Sequence, residues 1–396
     1  MTDLSQLVPR MRPYAPSVFS EMSTLANELG AVNLGQGFPD TDGPEELRRI
    51  AMDAISDGSG NQYPPRHGNP DLRAAVCEHQ ESWYGLRYDP ATDVVIGTGA
   101  SELLAASVLA VAEPGDEVII LEPWFDMYPA ITALSGATAV PVPLVQAADT
   151  FELDLMAIQA AITDRTRALI INTPHNPTGA VLTHSQLEGL AKILGPRDIV
   201  VISDEVYEHL VFEGIRHTPV ASVPGMKNRT ITIGSGGKSF SLTGWKVGWA
   251  TGPADLIAAV RVVRQHLSYV SSGPFQPAIA AGLRFPRSYF RQLADDLSRR
   301  RDKLGEGLAG LGMQVFRTDG TYFAMTDVAP LGWASGVDFV DRAAREAGVV
   351  AIAVNPFTSP DFGQSLVRWT FCKQDQVLDE ALDLLYRHSS VLAGPG

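Results

Sequence analysis

From Val94 onward the chain repeats one pattern, a short β-branched run, a few glycines or polar residues, then a helical stretch. The runs read DVVIGTG, EVIILEP, TAVPVPL, RALIINTP, DIVVISDE and TITIGSG, and stretches such as SELLAASVLAVA and HSQLEGLAKILG separate them. Strands apolar at nearly every position must be buried on both faces. Alternation with helices then points to an α/β fold, a largely parallel sheet between helices. In such sheets ligands bind in the loops beyond the strands' carboxyl ends. Here those loops read GTGASE, LEPWFDMY, NTPHNPTG, SDEVYE and SGGKSF, and polar and aromatic residues concentrate in them.

After about Phe285 the texture changes. A charged helical stretch, FRQLADDLSRRRDKLGEGLAGLG, leads to the strand-like pair in MQVFRTDGTYFAMTDV, then to DFVDRAAREAG, VVAIAVNPF, SLVRWTFCK and a last helix. With 396 residues, more than one compact core usually spans, this reads as three parts. Residues 1–40 form an N-terminal segment packing with the small domain. Residues 41–285 form a large domain, and 286–396 a smaller α+β domain. Pro44 and Gly58 bracket an early helix, PEELRRIAMDAISDG.

The net charge of −14 argues against a nucleic-acid or anionic-lipid surface. Cys77 and Cys372 stand far apart, and no Cys/His spacing suggests a metal. Cys372, in LVRWTFC, reads as a packed strand residue. No signal-peptide pattern opens the chain, and the longest apolar run, LLAASVLAVA, is too short to span a bilayer. The expected setting is the cytoplasm.

The stretch SGGKSFSLTGWKVGW carries two lysines and no other charge. Lys238 follows a strand and two glycines. An amine kept from water there would have a lowered pKa and could form a Schiff base with an aldehyde cofactor; a surface lysine would read the same. Asp204 ends DIVVISD, where a half-buried carboxylate needs a cationic partner such as a protonated pyridine nitrogen. A helix-capping aspartate is the alternative. Asn176 sits between two prolines in NTPHNPTG, placed to donate to a phenolate or simply to make a turn. In GTGASE the N–H groups of Ala100 and Ser101 open a helix and suit an anion. Ser235 and Lys246 could join the same phosphate. The glycine pattern GxGxxG of dinucleotide enzymes is missing.

Taken together, LGQGFPD, NQYPP, GASE, EPWFDMY, NTPHNPTGAV, SDEVYEHL, SGGKSFSLTGWKVGW, GTYF and VRWTFCK resemble the class I aminotransferases of pyridoxal-phosphate fold type I, over nearly the whole chain. The resemblance implies a mixed, mostly parallel sheet and a role for each matching residue. Lys238 would bear the cofactor's aldehyde and move the proton. Asp204 would partner the pyridine nitrogen, Asn176 and Tyr207 the phenolic oxygen, and Phe125 would stack on the ring. Ala100, Ser101, Ser235 and Lys246 would hold the phosphate, with Tyr63 reaching it across a homodimer interface. Arg368 would grip the substrate α-carboxylate, helped by Gly37 and Asn176. Many relatives carry arginine where Lys246 stands.

Within the family, the chain is most similar to the branch of N-succinyldiaminopimelate, kynurenine–glutamine and methionine aminotransferases. That implies an N-succinyl-LL-2,6-diaminopimelate:2-oxoglutarate aminotransferase of lysine biosynthesis. The alternatives are a kynurenine-, glutamine- or methionine-type enzyme, a cysteine-conjugate β-lyase and a decarboxylase. A non-catalytic cofactor-sensing regulator would need a DNA-binding module for which the chain has no room. Candidates for the side-chain pocket are Tyr14, Phe19, Tyr63, Arg66, His67, Phe125, Tyr128, Tyr269, Phe323 and Phe357. Arg66 and His67 are the pair that could meet a distal carboxylate. The expected partners are small amino and 2-oxo acids, with no nucleic acid, membrane or metal.

Overall fold

The computed structural model describes residues 5–14, 17–360 and 362–394. Its large sheet has seven strands, β1 (Val94–Thr98), β2 (Glu117–Glu122), β3 (Thr138–Pro143), β4 (Thr166–Asn172), β5 (Val200–Asp204), β6 (Thr230–Ser235) and β7 (Val247–Thr251). Their spatial order is β1-β7-β6-β5-β4-β2-β3. Four neighbouring pairs are parallel, and β7 runs antiparallel to both β1 and β6. The six apolar runs are all strands of this sheet; β7 is an addition that the Val/Ile pattern did not mark.

Burial on both faces follows the two-residue period of a strand. Val118 and Ile120 pack with Leu103 and Ile257 on one face. Ile119 and Leu121 pack with Leu187 and Leu190 on the other. Each such side chain, fully withdrawn from water, contributes roughly 1.5–3 kcal/mol. The helix expected after Pro44 spans Glu45–Ser56, with Pro44 as its N-cap and Asp57, not a glycine, as its C-cap.

A second, antiparallel sheet comprises β8 (Gln314–Val315), β9 (Phe323–Asp327), β10 (Ile352–Ala353) and β11 (Leu366–Thr370), in the order β8-β9-β11-β10. Leu297, Leu304 and Leu308 of the helix Arg287–Gly310 share a core with Trp369, Phe371 and Leu378. That core continues into Val206, Tyr207 and Leu210, just beyond the end of β5. Near the N-terminus Val32–Asn33 pairs in parallel with Val349–Val350. Cys372 is buried two residues past β11, its sulfur 3.1 Å from the Thr370 hydroxyl. Among the described residues no helix is long and apolar enough to cross a membrane.

Candidate active site

Strand register assembles the site. Asn172 lies opposite Asp204 at the ends of β4 and β5. Gly248 of β7 faces Gly97 of β1 on one side and Ser235 of β6 on the other. Because β7 is antiparallel, its start lies beside the ends of β1 and β6, and Lys246 immediately precedes it. A cavity of about 340 Å³ opens there. Ala100, Ser101, Phe125, Asn176, Asp204, Tyr207, Ser235, Lys238, Lys246, Gly37 and Arg368 all line it. These are the expected site residues with one exception, Tyr63.

One end of the cavity is cationic. Lys246 adopts a left-handed backbone, φ 52°, and points its Nζ at the Ser101 hydroxyl, 3.3 Å away. Gly99, φ 74°, opens the helix Gly99–Val111, and a Cβ there would stand 3.1 Å from the Lys246 Cε. A Cβ on Gly248 would meet the Ala100 nitrogen at 2.7 Å. Two glycines thus let a helix N-terminus and an amine converge on one point, a cradle for a phosphate-sized anion. Ser235 accepts from the Gly237 N–H at 3.2 Å, which leaves its hydroxyl proton free to turn to the cavity.

The middle of the cavity is acidic. Asp204 is buried, and burial pushes its carboxyl up to about 6, opposed by a 2.7 Å hydrogen bond from the Tyr128 hydroxyl. Asn172 donates to the Asp204 carbonyl at 2.8 Å and accepts from the Asn176 N–H at 2.7 Å, so strand ends and loop are tied together. The Tyr207 phenol is buried, which holds it protonated.

Lys238 sits in the single helical turn Gly236–Ser239. Its side chain borders the cavity while its amine is enclosed, and burial lowers that amine to about 8. Nζ donates to the Tyr322 hydroxyl at 2.5 Å and to the Gly37 carbonyl at 3.3 Å. A buried amine with so low a pKa is a nucleophile and base near neutral pH.

Arg368, on β11, closes the far end and is 3% exposed. It donates to Asn176 Oδ1 at 3.0 Å and to the Gly35 carbonyl at 2.7 Å. Phe323 and Phe19 flank its guanidinium at 4.1 and 4.9 Å. Burial lowers its pKa to about 10, and its Nε has no partner among the described residues. An unsatisfied, buried guanidinium is prepared for a carboxylate.

Other expectations meet different surroundings. Tyr63 is 80% exposed and packs edge-on against Tyr269, itself exposed, 5.4 Å away. Arg66 and His67 are exposed as well and do not line the cavity. Of the side-chain pocket candidates, Phe19, Phe125, Tyr128 and Phe323 do. Tyr14 and Phe357 border an adjoining depression with Phe125. Sequence reasoning missed Tyr322 as the partner of Lys238, although GTYF marked the segment. It also missed a buried trio, His79, Glu208 and His209, whose ligand atoms lie within 4.8 Å of one another. The two imidazoles already face each other, Nε2 to Nε2 at 2.9 Å.

Comparison with known proteins gives one consistent answer. The model of the family "Aminotransferase class I and II" matches residues 30–385. A probable N-succinyldiaminopimelate aminotransferase of Mycobacterium tuberculosis is 49% identical, covering 98% of each chain. A methionine aminotransferase of Escherichia coli is 35% identical over 93% of this chain and 95% of its own. The solved N-succinyldiaminopimelate aminotransferase of Mycobacterium tuberculosis superposes with a TM-score of 0.94 over 97% of this chain and 99% of that one, at 49% identity.

Proposed function

This chain belongs to the class I and II aminotransferases, and on that premise we propose that it transfers an amino group between N-succinyl-LL-2,6-diaminopimelate and 2-oxoglutarate. The observation that carries the choice of substrate is 49% identity, end to end, with a relative named for that activity. Its cofactor is pyridoxal 5'-phosphate, and the donor set fits one. A cationic cradle, a buried carboxylate, an amine lowered to about 8 and a buried guanidinium lie along one cavity. When bound, the cofactor supplies an aldehyde for the substrate amine and a ring that accepts electrons released at its α-carbon.

In this reading Lys246, the Ser101 and Ser235 hydroxyls and the Ala100 N–H hold the phosphate. Asp204 would keep the pyridine nitrogen protonated, Asn176 and Tyr207 would serve the phenolic oxygen, and Phe125 would cover the ring. Lys238 would bond the cofactor's aldehyde, and its amine, lowered to about 8, would be the base for the proton on the substrate α-carbon. Arg368 orients the α-carboxylate, with Gly37 and Asn176 beside it.

We assign residues 41–285 to a cofactor-binding domain and 286–396 to a smaller one, with 1–40 lying against the latter; the pairing of Val32–Asn33 with Val349–Val350 supports that assignment. The exposure of Tyr63 fits a homodimer in which it serves the partner's site. We place the enzyme in the cytoplasm.

The test is an absorption spectrum of the purified protein, titrated with glutamate, methionine, glutamine, kynurenine and N-succinyl-LL-2,6-diaminopimelate. The expected result is a visible band that N-succinyl-LL-2,6-diaminopimelate and glutamate discharge and 2-oxoglutarate restores. Discharge by methionine or kynurenine but not by N-succinyl-LL-2,6-diaminopimelate would replace the substrate; no band would overturn the role of Lys238.

A further inference from the structure

We propose that Tyr322 is a positioning residue: with the Gly37 carbonyl, its hydroxyl forms a dock that holds the Lys238 amine whenever that amine is not bonded to the cofactor. The proposal rests on the reading of Lys238 as the cofactor-bearing lysine. Such a lysine must let go during each turnover and return to the same atom. A free amine on a four-carbon stem would otherwise sample many positions, and holding a reacting group in place lowers the barrier to its return.

Three polar atoms define the dock. Lys238 Nζ lies 2.5 Å from the Tyr322 hydroxyl and 3.3 Å from the Gly37 oxygen, and the Tyr322 hydroxyl donates to that same oxygen at 2.5 Å. A phenol has one proton to give. Since that proton is committed to Gly37, the Tyr322 oxygen can only accept from the amine. Burial raises the phenol well above its ordinary value, so Tyr322 keeps its proton near neutral pH.

The surroundings fix both halves. Tyr207 and Phe323 grip the Tyr322 ring at 5.3 and 4.8 Å. The turn before Gly37 is tied by Asn33, whose Oδ1 accepts from Gly35 and Gln36 at 2.9 and 3.2 Å. A Cβ on Gly37 would stand 2.6 Å from the Phe323 ring, so no other residue fits there without displacing it. The same turn gives its Gly35 carbonyl to Arg368. One short segment therefore positions the amine and the carboxylate clamp together. Docked, the amine remains 5.5 Å from the Tyr207 ring centre and on the wall of the cofactor cavity.

Tyr322→Phe removes the hydroxyl alone, leaving the bonded lysine untouched and the free amine without its nearer acceptor. In the cofactor-free protein, trace acetylation of Lys238 across pH, read by mass spectrometry, should show the amine's midpoint falling by about one unit. In the loaded protein at a fixed ratio of amino to oxo acid, the visible band should shift about tenfold toward the lysine-bonded form. Unchanged values in both measurements overturn the dock. Should Tyr322→Phe fail to fold, wild-type crystals with pyridoxamine phosphate decide: Nζ on the Tyr322 oxygen supports the dock, and Nζ elsewhere overturns it. A wild type that never develops the band overturns the reading of Lys238 itself, whereas a normal band with an unaltered Tyr322→Phe overturns the dock alone.

Discussion

The Tyr128 hydroxyl donates to Asp204 Oδ2 at 2.7 Å, and both side chains are buried. Tyr128 thus partners Asp204 as well as lining the cavity, where the sequence had suggested a side-chain pocket. Burial raises Asp204 to about 6, and this hydrogen bond works against that rise by favouring the ionised form. Tyr128→Phe should therefore let Asp204 hold its proton to higher pH. A neutral Asp204 cannot pair with a protonated pyridine nitrogen. The acid limb of the kcat/KM profile should move up by about one pH unit, with about fivefold lost at pH 6, nearly tenfold at pH 5 and little lost at pH 9. A pH–rate profile of the variant checks this, and an unmoved limb would detach Tyr128 from Asp204 chemistry.

The low pKa of Lys238 predicts a stability change in the cofactor-free protein. Folding moves this amine from 10.5 to about 8, chiefly by burial. Below pH 8 both folded and unfolded chains hold the proton, and the folded state bears the full penalty. Between pH 8 and 10.5 the unfolded chain binds more protons, so stability climbs with pH until the penalty is gone. Lys238→Met should stabilise the cofactor-free protein at pH 7 by roughly 1–3 kcal/mol. The gain should shrink across pH 8 to 10.5. Thermal melts at pH 7 and pH 10 test both the sign and the window.

Much of this site was legible because each of its groups ends or follows a marked strand. Val/Ile runs located β4, β5 and β6, and therefore Asn176, Asp204 and Lys238. Strand β7 escaped notice for a physical reason. Gly248 must lack a side chain to let the Ala100 nitrogen approach, and Trp249 fills the space over Gly234, where a Cβ would lie 2.4 Å from its ring. Close packing replaced the Val/Ile signature there. Tyr128 and Tyr322 escaped for another reason. Their partners lie 76 and 84 residues away, and nothing local announces a phenol's destination. Tyr63 was singled out by resemblance alone, and a single chain leaves it exposed.

The proposed phosphate cradle depends on Gly99. Its φ of 74° disfavours any side chain, and a Cβ would press on Lys246 Cε at 3.1 Å. Gly99→Ala should cost about 1–2 kcal/mol of stability from backbone strain. It should also displace the Lys246 amine and weaken pyridoxal-phosphate binding about tenfold or more. Equilibrium dialysis against the cofactor measures the second effect separately from the melt. Unaltered affinity would mean that the anion does not sit between Gly99 and Lys246.

Arg368 offers a sharper contrast between charge and shape. It already spends one N–H on Asn176 and another on Gly35, and its Nε has no partner among the described residues. Arg368→Lys keeps the charge but loses the planar fork that matches a carboxylate. The Michaelis constants for amino and oxo acids should rise by roughly 10–100-fold, with a smaller change in kcat. Amines without an α-carboxylate should be indifferent to the substitution. Steady-state kinetics with glutamate and a matched amine distinguish loss of this contact from general damage.

Tyr63 permits a test of assembly through activity. It is 80% exposed on its own chain and does not line that chain's cavity, whereas Lys238 does. Suppose Tyr63 serves the partner's site. Chains carrying Tyr63→Ala then lack a good neighbour in their homodimers, and chains carrying Lys238→Ala lack the amine in theirs. Unfolded together and refolded, the two form mixed dimers in which one site receives an intact Lys238 from one chain and an intact Tyr63 from the other. Random pairing should restore about a quarter of the wild-type sites, because half of the dimers are mixed and each has one complete site. A Tyr63 acting within its own chain would restore none, because every chain with Lys238 would lack it. Sedimentation of the wild type should give a dimer mass, and the activity recovered by the mixture, relative to wild type refolded alone, would count the complete sites.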